Sequence, residues 1–293
     1  MQAGEQAVVA EVPHEAPVAF EGIFVEFEAC RAGCVSLLLH CFLITMETYF
    51  NIRYEFDKAR ALSAIDECVR RGEPGYVCVA DGVILDMVNR DPEYRRVVDG
   101  AMFSVCDSSY VPLYIKWIYG RRREQYCGSQ IFMDIVGSRK YRMAFMGTSQ
   151  ATLDGLSGQL AKVNPDVLGM DFYELPFCTV DEFDYPAIAR RIEEDGADIV
   201  WVALGAPKQE IFMSLLKPHL RRGVMIAVGA AFKFYSGVNV SRAPQWMVRH
   251  HLEFVHRIFS EPRKQLRRCW GIVVSLPRLL VQEWRRSRRA SRH

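Results

Sequence analysis

The chain reads as an α/β protein, a Rossmann-like parallel sheet flanked by helices, with a basic amphipathic helical appendage at its C-terminus. Three observations carry that reading. Short apolar runs alternate with stretches of helical periodicity from residue 57 to residue 228, several runs end on Asp or Gly, and basic residues collect after residue 240. Alternating strands and helices argue for a parallel sheet. Ligands of such sheets sit beyond the carboxyl ends of the strands.

Thr48 to Phe56 reads as an edge strand. From Asp57 to Arg71 the apolar positions Ala59, Leu62, Ile65 and Val69 recur at helical spacing. Gly72-Glu-Pro-Gly75 breaks that helix, and Tyr76 to Ala80 is a buried strand ending at Asp81-Gly82. Val83 to Val88 begins a helix that stops near Arg90-Asp-Pro92, and Ala101 to Cys106 is a strand ending at Asp107. The second half repeats the rhythm. Strands are expected at Tyr141–Met146, Val167–Tyr173, Ile199–Leu204 and Val224–Val228. Helices are expected at Ala151–Val163, Tyr185–Glu194 and Gln209–Leu220.

The domain plan is an atypical extension over residues 1–45, an α/β domain over 46–240, and a membrane-associating appendage over 241–293. Residues 1–30 carry six Glu and no Lys or Arg, the reverse of a signal peptide's basic start. Residues 1–45 look unlike the rest and an edge strand follows Met46, so Met46 is the expected true start, which N-terminal sequencing of the native protein checks. The longest apolar stretch, Val35 to Ile44, falls well short of the ~20 residues that span a bilayer. Nine cysteines without CxxC pairs argue for a reducing cytosol and no structural zinc. Cys78 and Cys106, inside apolar runs, read as buried thiols.

Charge is unevenly spread. Residues 241–293 hold 13 Arg/Lys against 3 Glu, while the preceding 240 hold 24 basic and 32 acidic side chains. Such a tail wants an acidic partner. Its arginines interleave with Trp246, Phe254, Phe259 and Trp270, and the apolar run Ile272–Val281 leads to Trp284 and a further Arg cluster. Arginine forks match phosphates, and the apolar faces suit a helix lying on an anionic membrane. A solvated basic tail explains Arg285 onward but not the apolar content before it. No nucleic-acid module accompanies these residues, so nucleic acid is not an expected partner.

Within the α/β domain, Asp107 stands at a strand end, where a carboxylate lifted toward working pH takes a proton from an attacking hydroxyl. Equally, Asp before two serines suits a helix N-cap. Asp81 either binds a sugar hydroxyl or stabilises its Asp-Gly turn. Gly147-Thr-Ser-Gln150 offers backbone amides to a diphosphate at a helix N-terminus, or is simply a tight turn. In Gly205-Ala-Pro-Lys-Gln-Glu210, Gly205 ends a strand and Pro207 enters a helix. Lys208 and Gln209 add donors suited to a diphosphate or a uracil edge. A strand-to-helix corner explains the Gly and Pro but not the Lys-Gln pair.

The runs Leu204-Gly-Ala-Pro-Lys-Gln-Glu210, Val228-Gly-Ala-Ala-Phe-Lys-Phe-Tyr-Ser-Gly237, Arg242-Ala-Pro-Gln-Trp246, Leu252-Glu-Phe254, Arg257 and Glu261-Pro-Arg263 resemble the WecG/TagA/CpsF family, glycosyltransferase family 26. The resemblance runs from about Tyr49 to Trp270. It implies inverting, metal-independent transfer from a UDP-sugar, often of N-acetylmannosamine type, to a polyprenyl-diphosphate-linked sugar, with no cofactor. The expected setting is cell-surface polysaccharide synthesis at the inner face of the cytoplasmic membrane, with self-association an open option. It further implies Asp107 as general base, Gln209 near the nucleotide, and Arg242, Arg257 and Arg263 near diphosphates. Gly128-Ser129 matches a Gly-Ser-Asp segment with Gln130 in place of the acid. Asp81 stands where many members have Asn, Val79 where they have Thr, and Lys233 where Asp is common, departures that leave the donor sugar open. The rivals are a Rossmann-fold oxidoreductase, whose Gly-rich fingerprint is missing after Ala80, and a catalytically silent membrane scaffold.

Overall fold

The computed structural model describes residues 46–238 and 262–290. Its centre is an eight-stranded sheet of β1 (Glu47–Tyr49), β2 (Ile52–Tyr54), β3 (Pro74–Ala80), β4 (Phe103–Cys106), β5 (Met143–Gly147), β6 (Asp171–Tyr173), β7 (Ile199–Ala203) and β8 (Gly223–Ala227). The spatial order is β1-β2-β4-β3-β8-β7-β5-β6, and only β1–β2 is antiparallel. The helices are α1 (Lys58–Arg71), α2 (Gly82–Arg90), α3 (Pro92–Asp99), α4 (Val111–Tyr119), α5 (Gly128–Ser138), α6 (Gln150–Leu160), α7 (Tyr185–Asp195), α8 (Lys208–Leu216), α9 (Ala231–Ser236) and α10 (Pro262–Ala290). The expected α/β architecture, with its helical C-terminal segment, is the one observed.

Both faces of the sheet are covered, which is why its strands read as unbroken apolar runs. Side chains alternate by the two-residue period of a strand. Val77, Val79, Phe145, Trp201 and Ile226 pack against α1, α5, α6 and α9. Tyr76, Cys78, Met146, Val202 and Met225 pack on the other face with α2, α3, α4, α7, α8 and α10. On the first face Phe132 sits edge-on to Trp201, ring centroids 4.8 Å apart, and contacts Phe145 and Phe232. Burying each such ring stabilises the fold by ~1.5–3 kcal/mol. As the sequence led one to expect, Cys78 and Cys106 are fully buried free thiols. Burial pushes the Cys106 thiol up to about 12.

Several elements differ from expectation. The edge strand from Thr48 is a hairpin, because Phe50 and Asn51 take φ of 51° and 62°, the left-handed pair of a two-residue turn. α1 buries Ala61, Ala64, Ile65 and Cys68 rather than the larger stripe through Leu62 and Val69. Val167–Tyr173 opens as a 3-10 turn, Pro165–Gly169, and only Asp171–Tyr173 is strand. The helix from Gln209 gives way to a 3-10 turn at Lys217–His219, since Pro218 lacks the N–H that would extend the ladder. Helices α3, α4, α5 and the short α9 lie outside the helices expected from the sequence. Their signals were present: Pro112 in a first turn, and Ile131, Phe132, Ile135 and Val136 at helical spacing.

α10 docks across the sheet's flank. Ile272 lies against Gly82, where an added Cβ would come within 2.8 Å of its Cδ1. Leu279 is buried in the core with Leu280 against it. The Tyr119 hydroxyl donates to the buried Glu283 carboxylate at 2.7 Å, and Ser287 donates to the Ile118 carbonyl.

Candidate active site

The strand order lines up the carboxyl ends of β4, β3, β8, β7 and β5, so Asp107, Asp81, Gly229, Gly205 and Gly147 follow one another along a single edge. At the β4 end, the half-buried Asp107 is held from three directions. Its amide donates to the Ala80 carbonyl at 3.0 Å, and its own carbonyl accepts from Gln125 Nε2 at 2.7 Å. Its Oδ1 accepts from the Gly128 amide at 2.8 Å. The helix that follows Asp107, α4, has Tyr110 and not Asp107 at its N-cap position. Asp107 meets the first amide of α5 from outside instead.

Gly128 is glycine because α5 approaches so closely. A Cβ there would stand 3.0 Å from Val79 Cγ1 and 3.8 Å from Asp107 Oδ1. Ser129 lends its carbonyl to the Tyr235 hydroxyl at 3.3 Å and its Oγ to Cys127 Sγ at 3.1 Å. Gln130 reaches back so that its Oε1 accepts from the Cys127 amide at 3.0 Å. That is a capping-box bond, which Gln forms as well as an acid would.

Asp81 sits next to Asp107 through the register Ala80↔Cys106. Its Oδ1 accepts from Val83 and Ile84 amides at 2.9 and 3.0 Å, making it the N-cap of α2. The sequence offered a helix cap at Asp107 and a turn at Asp81; the cap falls to Asp81.

Beneath this end lies a buried polar chain. Gly205 N donates to Gln209 Oε1 at 3.0 Å, Gln209 Nε2 donates to Glu210 Oε1 at 2.8 Å, and the Tyr94 hydroxyl donates to Glu210 Oε2 at 3.1 Å. Glu210 is completely buried, and desolvation pushes its carboxyl up to about 7 despite the bonds from Gln209, its own amide and Tyr94; the Asp81 charge adds to the rise. Burial and the Glu210 charge drive the Tyr94 hydroxyl well up. Both ends of the Gln209 amide are thus engaged within the protein. Pro207 stands at the N-cap position of α8, at the helix entry where it was expected. Lys208 turns aside: its ammonium donates to the Cys178 carbonyl and lies 5.0 Å from the Phe183 ring centroid.

At the β5 end Gly147 has φ 108°, and a Cβ would meet the Ala203 carbonyl oxygen at 2.8 Å, so no other residue fits. Thr148 follows at φ 58°. The first turn of α6 already has an anion: Glu174 Oε2 accepts from the Gln150 amide at 2.9 Å. Nothing in the sequence pointed to Glu174, Tyr94 or Gln125, because each acts through a partner brought near by the sheet. Arg242 and Arg257 lie outside the described residues, and Arg263 falls on the first turn of α10. Lys233 is exposed on α9.

The arrangement is a carboxylate fixed at the carboxyl edge of the sheet, whose other positions are glycines and helix starts. A family model for the Glycosyl transferase WecG/TagA/CpsF family matches residues 48–290. An N-acetylglucosaminyldiphosphoundecaprenol N-acetyl-beta-D-mannosaminyltransferase of Bacillus subtilis is 26% identical over 243 residues, covering 79% of this chain and 88% of that protein. A protein of the same name from Bacillus spizizenii is 27% identical over 195 residues, covering 66% and 72%. With the family model spanning residues 48–290, the chain belongs to the WecG/TagA/CpsF family and is a glycosyltransferase of the hexosyl-transferring kind.

Proposed function

We propose that this enzyme transfers an N-acetylmannosamine-type sugar from a UDP-sugar to a polyprenyl-diphosphate-linked sugar, by one inverting displacement with Asp107 as general base. The observation that carries the mechanism is the fixed Asp107 carboxylate, one oxygen held by the Gly128 amide at 2.8 Å, at the edge where ligands of parallel sheets bind. The relatives' names, both transfers of N-acetylmannosaminyl to a diphosphoundecaprenol-linked sugar, support the choice of substrates.

In this reading the acceptor hydroxyl loses its proton to Asp107 while its oxygen forms a bond to the anomeric carbon. The bond from that carbon to the UDP oxygen breaks, and its electron pair leaves with UDP. A single displacement needs no nucleophilic side chain. Backbone amides at the Gly205 and Gly147 corners, together with Arg242, Arg257 and Arg263, are the groups proposed to meet the diphosphates. Peripheral association with the inner membrane face follows from the lipid-linked acceptor and the basic α10. No helix among the described residues is long and apolar enough to cross a membrane.

The test is UDP release from UDP-N-acetylmannosamine with a short-chain lipid-diphosphate N-acetylglucosamine acceptor. Asp107→Asn is expected to lower turnover by on the order of 10²–10⁴-fold. An Asn variant with full turnover removes Asp107 from the chemistry, and a panel of other UDP-sugars reads the donor.

A further inference from the structure

We propose that helix α4 is a second bilayer contact, separate from α10, that inserts Leu113 and Trp117 into an anionic membrane right beside the Asp107 edge. The biological sense of this rests on the lipid-linked acceptor proposed above; the geometry does not. α4 starts at Val111, four residues after Asp107. One stripe of it belongs to the core: Val111 and Ile115 are buried, with Tyr114, Ile118 and Tyr119 packed beside them. The opposite stripe is apolar as well. Leu113 is 51% exposed and Trp117 76% exposed, with Tyr110 one turn ahead at 38%. Residues three and four apart share a helix face, so these form one patch. A surface helix normally turns polar groups outward, and a contiguous apolar patch marks an interaction site. Tryptophan, with an apolar body and one N–H, is the residue suited to the headgroup boundary.

The charge around the patch selects the occupant. Lys116 lies within the exposed stripe, and Arg121 and Arg122 follow it, all exposed. The acids nearby are Glu124, Glu47, Glu283 and Asp107; Glu47 is already paired with Arg121 and Arg123, Glu283 is buried against Tyr119, and Asp107 is held by the Gly128 amide. α10 lies against α4 through Tyr119–Glu283 and Ser287–Ile118, and it continues the same character. Its exposed Trp270, Val274, Val281 and Trp284 recur at three- to seven-residue intervals, on the side away from the docked Ile272, Leu279 and Glu283. Exposed Arg285, Arg288 and Arg289 surround the end of that stripe. A two-fold interface with a second copy would set these cations against themselves. An anionic leaflet neutralises them while taking up the apolar side chains. Trp117 lies about 9 Å along the axis from the start of α4, so a leaflet engaged there keeps a membrane-anchored diphosphate close to Asp107.

Partition of the full chain onto phosphatidylglycerol–phosphatidylcholine vesicles tests this, with L113S/W117S and W117F beside the wild type. Both side chains are exposed, so the variants are expected to melt with the wild type. L113S/W117S is expected to bind at least tenfold more weakly and W117F nearly normally. Brominated lipids are expected to quench a fluorescence component that W117F lacks. Equal partition of L113S/W117S and wild type overturns the proposal. So does unchanged partition accompanied by loss of a dimer in light scattering, which assigns the face to a second copy. Transfer to a water-soluble short-chain acceptor is measured in parallel. Protein that transfers nothing but still loses vesicle binding on L113S/W117S sinks the catalytic reading and supports the α4 contact. Full transfer with unchanged partition does the reverse.

Discussion

The two ends of the ligand edge are built on opposite plans. At the β3–β4 end, acidic side chains stand at the edge and backbone amides hold them: Asp107 is bound by the Gly128 amide, and Asp81 caps α2. At the β7–β5 end, side chains serve the protein and backbone is presented. Gln209 braces the Gly205 turn, Lys208 is spent on Cys178 and Phe183, and Glu174 fills the α6 terminus. The difference teaches where substitutions should be felt. Chemistry should fail at the acidic end with the fold intact, and the fold should fail at the glycine end.

The largest effect expected is the one on turnover from Asp107→Asn. Its amide oxygen still accepts from Gly128, so the melting temperature is expected to stay put, and a variant that loses both activity and stability blurs the contrast between the ends. Next comes Gly147→Ala, which must relieve a 2.8 Å approach to the Ala203 carbonyl at a left-handed φ of 108°. A cost of about 3 kcal/mol or more is expected in denaturant unfolding, from strain and backbone displacement together. A silent Gly147→Ala would mean that the glycine end is not backbone-limited.

Glu210 ties the two ends together and carries a pH signature. Its carboxyl, raised from 4.5 to about 7 by burial, holds a proton in the fold over a window where the unfolded chain has released it. Folding therefore takes up a proton there, and stability falls as pH rises from about 4.5 to about 7. The loss is on the order of 3 kcal/mol. Glu210→Gln is expected to flatten this slope and to be the more stable protein at pH 8, as read by thermal melts across that range. A variant with the wild-type slope shows that another group titrates. The smallest effect is that of Asp81→Ala, which removes a helix cap and is expected to cost ~0.5–2 kcal/mol. A much larger drop in turnover than in stability would give Asp81 a part in substrate binding beyond its cap.

Much of this was legible in residues 76–106 and 199–228, where apolar runs of strand length end on Asp or Gly. Such runs signal buried parallel strands whatever their neighbours, and their ends name the ligand edge. Asp107, Gly147 and Gly205 were found that way. Lys208 and Gln209 look ligand-facing from sequence because it shows only that donors stand at a helix start. Whether they turn toward the crevice or into Cys178, Phe183 and Glu210 depends on elements some 25 or more residues distant, or on a side chain's rotamer.

By itself, then, the sequence determined the fold class, the family and the acidic and glycine positions along one edge, because period, chain breaks and motif spacing are local properties. Only the tertiary structure decided that Asp107 is held by α5 rather than capping α4, and that Glu174 meets the α6 terminus. It also decided that α10 lies against α2 and α4, with a second apolar stripe left outside. Those outcomes depend on strand order and on which faces meet. A hydrogen bond or a docked helix is chosen by distance in space, and distance in space is written in no single stretch of chain.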